Sequence, residues 1–407
     1  MADLHDLSAA ELSAAYAAKR LSPVEVTQAV IAHIARWEPH LHALYAYAPE
    51  RALAAAKEAE ARWQRGAPRS PLDGVPVTIK ENVATKGTPV PLGTAATDLT
   101  PAAEDAPPAA RLAEAGCVLL AKTTMPDYGM LSSGLSTFHA LARNPWDLSK
   151  NPGGSSAGAG AAAAAGYGPL HVGTDIGGSI RLPAGWCGVV GLKPSNGRVP
   201  IKPPYIGRVA GPMTRTVTDA ALMMAALARP DWRDTTSLPH EDIAWGDLTL
   251  EVNGLKGVKE VKGLEALKGL RIGVLAEAGW GLPPSADTAA ALQRAARLFE
   301  QAGAAIVPMK PFLTAEMAEG INLFWRVRSW STSAPCPRRG ATRCCRTSAS
   351  GRPWASARVR PVSSTASARS ACCARGSGGR APPDFVLSPV SPVVTYPAEW
   401  RAPPTTR

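Results

Sequence analysis

Apolar and polar positions along the chain fall into three regimes. Before about residue 70 the apolar residues recur at helical spacing behind recognisable start signals. Ser8 with Glu11, and Ser22 with Glu25, each make the S-x-x-E pattern of a capping box, the second with Pro23 at the first helical position. Two helices are predicted there, and a third over 49–65, rich in Ala, Glu and Lys, stops at Gly66, a residue suited to a left-handed cap. From Leu72 onward short apolar runs alternate with helical stretches, the rhythm of a sheet covered by helices on both faces. GVPVTIK (74–80) reads as a strand ending at Lys80, PPAARLAEAG (107–116) as a helix stopped by Gly116, and CVLLAK (117–122) as the buried strand after it. LRIGVLAEAG (270–279), the helical pattern over 284–302 and AAIVPM (304–309) form a β-α-β unit. The pattern predicts an α/β fold with a central mixed, largely parallel sheet covered by helices, and the length allows a single large domain or two ordinary ones. Past about Trp330 neither the strand period of about 2.0 nor the helix period of about 3.6 survives, so the C-terminal part is disrupted.

Composition sharpens that last boundary. A chain of 407 residues with 45% hydrophobic content can bury a substantial core. Its first twenty residues carry acids early and no continuous apolar run, so a cytoplasmic location without a membrane partner is expected. The formal charge of +11 is concentrated: residues 331–380 hold ten Arg, ten Ser, no Lys and no acid, leaving the rest nearly neutral. Five of the seven cysteines (Cys336, Cys344, Cys345, Cys372 and Cys373) lie in the same window, but vicinal pairs lack metal-ligand spacing. One reading is a basic disordered tail that binds RNA. The other, which we favour, is a GC-rich coding sequence read in a shifted frame, because ordinary character returns abruptly at PDFVLSPVSPVVTYPAEW (383–400). The expected organisation is one domain over 1–330, an aberrant segment over 331–380, and a remnant over 381–407.

Three glycine-marked stretches carry the candidate chemistry: DGVPVTIKENV (73–83), NPGGSSAGAGAAAAAG (151–166) and GTDIGGSIRLPAG (173–185). Glycine lets backbone N–H groups approach a ligand with no Cβ in the way. Ser155 and Ser156 would stand at the start of an Ala-rich helix over 157–165, where unpaired N–H groups favour negative charge. Gly154–Gly158 satisfies G-x-S-x-G, and Gly158, Gly160 and Ala163 resemble a dinucleotide fingerprint. Both motifs need a preceding strand, and WDLSKNP (146–152) reads as a turn. The seven histidines lie outside these stretches and read as surface or packing residues; His171, just before the third stretch, is the one to check by mutation.

In order and spacing the three strings resemble the amidase signature family, whose core holds a G-G-S-S-[GS]-G run and a downstream D-[TI]-G-G-S-I-R-x-P. The likeness covers roughly residues 5–330, with Ala157 a small-for-small departure. It implies the amidase signature fold, with 381–407 as the remnant of that family's C-terminal region. It also implies Ser179 as nucleophile, Ser155 as a serine held in a cis peptide bond, and Lys80 as base. The amides of Ile176, Gly177, Gly178 and Ser179 would form the oxyanion hole. Ser156, Thr174, Asp175 and Arg181 would orient the turn and the relay, while Gly129, Met130 and Leu131 would line the acyl pocket. Asp175 and Arg181 have the alternative role of an internal ion pair.

These residue types suit the chemistry. An alcohol must shed its proton as it attacks, and a charged lysine cannot take one, so Lys80 must be neutral at the working moment. Burial away from water favours that form. Ser155 between the two can receive a proton on one side and donate on the other. The resemblance implies hydrolysis of a small-molecule carboxamide through an acyl-enzyme, with no cofactor, no metal and no nucleic-acid partner; a homodimer is within what it allows. Two alternatives stay open. One is membership in the glutamine-hydrolysing branch found in tRNA-dependent amidotransferases, although Ile176 and Leu182 stand where that branch usually has Thr and Gln. The other is a catalytically silent protein whose basic window binds RNA.

Overall fold

Both capping boxes form. The computed structural model describes residues 3–246, 250–252, 255–258, 267–333 and 382–403. A 3-10 turn (Leu4–Asp6) leads into α1 (Ala9–Ala17), followed by α2 (Pro23–Leu41). The hydroxyls of Ser8 and Ser22 accept the N–H of Glu11 and Glu25 at 3.2 Å, and each glutamate receives the serine N–H at 2.8 Å. Orphan donors at both helix starts are thereby satisfied. α3 (Pro49–Gln64) ends next to Arg65, and Gly66 takes the left-handed conformation at φ 69°.

The alternation after Leu72 becomes one mixed sheet. Its strands are β1 (Leu44–Tyr45), β2 (Pro76–Lys80), β3 (Val118–Thr123), β4 (Leu170–Asp175), β5 (Val190–Gly191) and β6 (Val209–Thr214). They lie in the order β1-β3-β2-β4-β6-β5. β3, β2 and β4 at the centre are mutually parallel, while β1, β6 and β5 join antiparallel on the two flanks. Every residue of β2, β4 and β6 is buried, which is why these strands read as near-continuous apolar runs. Among the connecting segments are α4 (Pro107–Glu114), α5 (Ala157–Ala164) and α6 (Arg181–Cys187), with α7 (Val217–Leu227) following β6. Val30 and Ile34 of α2, Leu112 of α4, and Val77, Leu120 and Val172 of the sheet belong to one continuous core. Because β2 and β4 run the same way, Lys80 and Asp175 end neighbouring strands at the same edge, where ligand crevices of α/β sheets lie.

Contacts divide the chain into two compact units, so the stretch expected as one domain over 1–330 carries both. The first comprises, of the described residues, 3–246 and 395–403 and contains the sheet above. The second holds a short antiparallel pair, β7 (Leu250–Val252) and β8 (Leu255–Val258). It also holds β9 (Arg271–Val274), α8 (Ala286–Gln301) and β10 (Ala305–Pro308), the expected β-α-β unit with its strands parallel. α9 (Ala315–Ser333) follows, and β11 (Phe385–Leu387) pairs parallel with β9, so the stretch where ordinary character returns supplies a strand. Leu267, Ile272 and Ala304 make the small core of this unit. The Arg-rich window 331–380, and both readings of it, fall outside the described residues except for the last turn of α9. No described helix is long and apolar enough to cross a membrane.

Candidate active site

Lys80 is wholly buried at the end of β2. Its Nζ reaches two serines at the start of α5, donating to Ser155 Oγ at 2.8 Å and Ser156 Oγ at 2.9 Å, with the Thr174 carbonyl at 3.5 Å. Ser156 is the N-cap of α5, yet its hydroxyl makes no capping bond. It instead accepts the Thr174 N–H and donates to the Thr174 carbonyl, both at 3.2 Å, locking α5 to the end of β4. Thr174 is held from its other side by Asn82, whose Nδ2 donates to Oγ1 at 3.1 Å. Ser155 follows a cis peptide bond from Gly154. Its hydroxyl hydrogen has no acceptor among the described residues.

The third glycine-marked stretch turns sharply after β4. Asp175 organises it: one carboxylate oxygen accepts the Gly178 N–H at 2.8 Å, and the other accepts the Ile180 N–H at 3.0 Å. Arg181 adds a two-pronged pair at 3.0 and 2.9 Å. Burial pushes the Asp175 carboxyl up, but the Arg181 guanidinium and the two amides outweigh it and hold the group below the usual carboxylate range. The ion pair and the orienting role foreseen as alternatives are therefore one arrangement. One implied oxyanion donor is already engaged, since Gly178 spends its N–H on Asp175. The N–H groups of Ile176, Gly177 and Ser179 carry no hydrogen bond among the described residues. Ser179 is half-buried, and its carbonyl accepts the Ser156 N–H at 3.1 Å, tying the two serine-bearing turns together. Its hydroxyl is not hydrogen-bonded to Ser155, so the relay is closed on the lysine side and open on the Ser179 side.

Gly129, Met130 and Leu131 lie half-buried beside this pair, at and after the 3-10 turn Asp127–Gly129. Two glycines let the segments meet. A Cβ on Gly129 would stand 3.1 Å from Ser155 Oγ, and one on Gly154 would stand 2.7 Å from the Leu131 carbonyl oxygen.

His171 lies elsewhere on the same strands. It is fully buried between Thr78 Oγ1 at 2.8 Å and the Gly168 carbonyl at 3.0 Å, and burial lowers its pKa to about 3. It is a neutral packing group. His139, read from sequence as a surface or packing residue, is half-buried with its side chain largely covered, and is paired with Glu81 at 2.5 Å. Glu81 and Asn82 were legible only as neighbours of Lys80 in the first glycine-marked stretch. Among the described residues, Asp3, His5 and Asp6 could gather around a metal ion; none belongs to the expected site.

The class the fold defines is a parallel-centred α/β sheet with a buried lysine–serine pair at its carboxyl edge. Residues 25–334 match the family described as Amidase, and the chain belongs to that family. It is 39% identical over 316 residues to the A component of the glutamyl-tRNA(Gln) amidotransferase of Chloroflexus aggregans, covering 75% of this chain and 61% of that one. Against the corresponding A component from Anaeromyxobacter dehalogenans it is 40% identical over 316 residues, or 75% of this chain and 60% of that one. The chain thus spans about three-fifths of the length of these curated relatives. Among solved structures it is similar to a bacterial aryl acylamidase of the amidase signature family. That match has 31% identity and a TM-score of 0.71, and covers 84% of this chain and 69% of that one. It is also similar to the peptide amidase of Stenotrophomonas maltophilia, with 30% identity, a TM-score of 0.68, and coverage of 84% and 68%.

Proposed function

We propose that this chain hydrolyses the C–N bond of a small carboxamide through an acyl-enzyme on Ser179. The observation that carries the reading is the contact of wholly buried Lys80 with Ser155 at 2.8 Å, in a turn tied by the Ser156 N–H to Ser179, whose hydroxyl is unengaged. Ser179 Oγ attacks the carbonyl carbon while its proton passes to Ser155 and the Ser155 proton passes to neutral Lys80. The unengaged amides of Ile176, Gly177 and Ser179 receive the developing oxyanion, and losing one such donor typically lowers the rate about 10²- to 10³-fold. The proton held on Lys80 returns through Ser155 to the leaving nitrogen, which departs as ammonia or an amine. Water then attacks the ester by the same relay and frees the acid. No step calls for a metal or cofactor.

The curated relatives favour a second reading, an amidotransferase component that hydrolyses glutamine and passes the ammonia onward. Ammonia release measured on the purified chain with simple carboxamides and with glutamine separates the two. Turnover of simple amides without added proteins, abolished in Ser179→Ala, supports the stand-alone amidase. Turnover that appears only with partner proteins and glutamine supports the amidotransferase component.

A further inference from the structure

Glu81, the residue after Lys80, is completely buried, and its backbone N–H extends the β2–β3 ladder by donating to the Thr123 carbonyl at 3.0 Å. Successive strand residues face opposite ways, so its side chain leaves the Lys80 side. One carboxylate oxygen accepts the Gly93 N–H at 2.9 Å and His139 Nε2 at 2.5 Å. The His139 backbone N–H donates to Ser136 Oγ at 2.9 Å, and Ser136 Oγ donates to the Gly93 carbonyl at 2.6 Å. The four residues close a ring of hydrogen bonds. Next to it, the Leu92 carbonyl accepts the Tyr128 N–H at 2.7 Å, and Leu92 and Tyr128 both hold positive φ, 54° and 50°. Non-glycine residues keep such backbone only where their surroundings enforce it. Tyr128 leads directly into Gly129, which abuts Ser155, and the Leu131 carbonyl lies against Gly154, the residue before that serine.

We propose that Glu81 and His139 are positioning residues: acting through Gly93, Ser136 and Tyr128, they set the 128–131 segment against the Ser155 hydroxyl. Lys80 and that segment are then registered to each other by adjacent residues of one strand. The inference rests on the proposed roles of Lys80, Ser155 and Ser179. A misplacement of about 1 Å remote from the reacting atoms can lower a rate about 100-fold, so the ring matters to turnover without touching substrate.

The test uses the full chain and reads thermal melting, kcat and KM on carboxamides, and the rate at which an ethoxy fluorophosphonate labels Ser179 by mass spectrometry. His139→Phe keeps an aromatic ring beside Tyr45 and Phe138 but cannot donate to Glu81. It is expected to slow labelling and kcat about 10- to 100-fold with KM moved less, and His139→Gln, which restores an N–H donor, to recover both to within about threefold. Ser136→Ala, which opens the ring while leaving the buried carboxylate paired, is expected to lose about tenfold and decides the matter should His139→Phe not fold. A folded His139→Phe or Ser136→Ala that labels at the wild-type rate overturns the inference, as does a His139→Gln no faster than His139→Phe. A wild-type chain that is neither labelled nor active overturns the proposed reaction and this inference with it.

Discussion

Two buried polar clusters sit on the same pair of strands and behave differently. Thr78 and His171 face each other in register across β2 and β4, and the imidazole has a partner on each ring nitrogen. Two residues further along β2, Lys80 meets Ser155 and Ser156, and the arrangement stops short of Ser179, whose hydroxyl and three neighbouring amides are left unengaged. Buried polar groups are normally satisfied, and the first cluster obeys that rule in the interior of the sheet. The second reaches the edge where the strands end, and its unengaged groups belong to half-buried Ile176 and Ser179 and exposed Gly177, within reach of water. A closed set of hydrogen bonds holds structure, and the open set beside it is the one to which we assign the substrate.

Mutation can break this comparison or sharpen it. The largest effect is expected from Ser179→Ala and Lys80→Met, each lowering kcat by about a thousandfold or more in a steady-state amide assay. His171→Leu in the same assay should keep kcat per folded molecule within about threefold; a loss as deep as that of Lys80→Met would erase the distinction between the clusters. Gly129→Ala places a methyl group 3.1 Å from Ser155 Oγ on a backbone held at φ 67°, and should reduce kcat about 10- to 100-fold while also lowering the melting temperature. On stability the order reverses. His171→Leu leaves the Thr78 hydroxyl unpaired and strips the Gly168 carbonyl of the shorter of its two bonds, Arg215 Nη1 remaining at 3.3 Å, and should cost about 1–3 kcal/mol by urea denaturation.

The closed cluster also carries a pH signature. The folded state holds His171 at about 3 while the unfolded chain titrates near the ordinary value of about 6.5, so the unfolded state binds the extra proton between them. Stability from the neutral imidazole is complete above about pH 6.5 and falls by about 1.4 kcal/mol per unit as pH drops toward 3. That slope should flatten in His171→Leu. Asp175 adds an acid limb: its lowered carboxyl stabilises the fold at and above the usual carboxylate range of about 4 and ceases to as pH falls through its own lower value. Denaturation of Asp175→Asn below pH 4 should lack that limb.

What could be seen in advance was local. Capping boxes need only a serine and a glutamate three residues apart, strands buried on both faces appear as apolar runs, and glycine clusters mark close backbone approaches. Lys80, Ser155 and Ser179 stood out because each lies within or beside such a run. Some signals were local yet misleading: Ser156 has the place of a helix cap, but its hydroxyl serves Lys80 and Thr174 instead. Gly178 sits among the implied oxyanion donors, yet Asp175 occupies its N–H.

Chain order alone therefore determined the α/β character, the helix starts and the three glycine-marked turns, since these depend on neighbours within a few residues. Tertiary structure alone decided that Glu81 meets His139 across 58 residues, that Asp175 uses up one of the four implied oxyanion amides and leaves three, and that the contacts split into two units. The reason is physical. A hydrogen bond forms only within about 3 Å and a narrow angle, and which distant groups reach that range is set by strand register and by how closely glycines let segments approach.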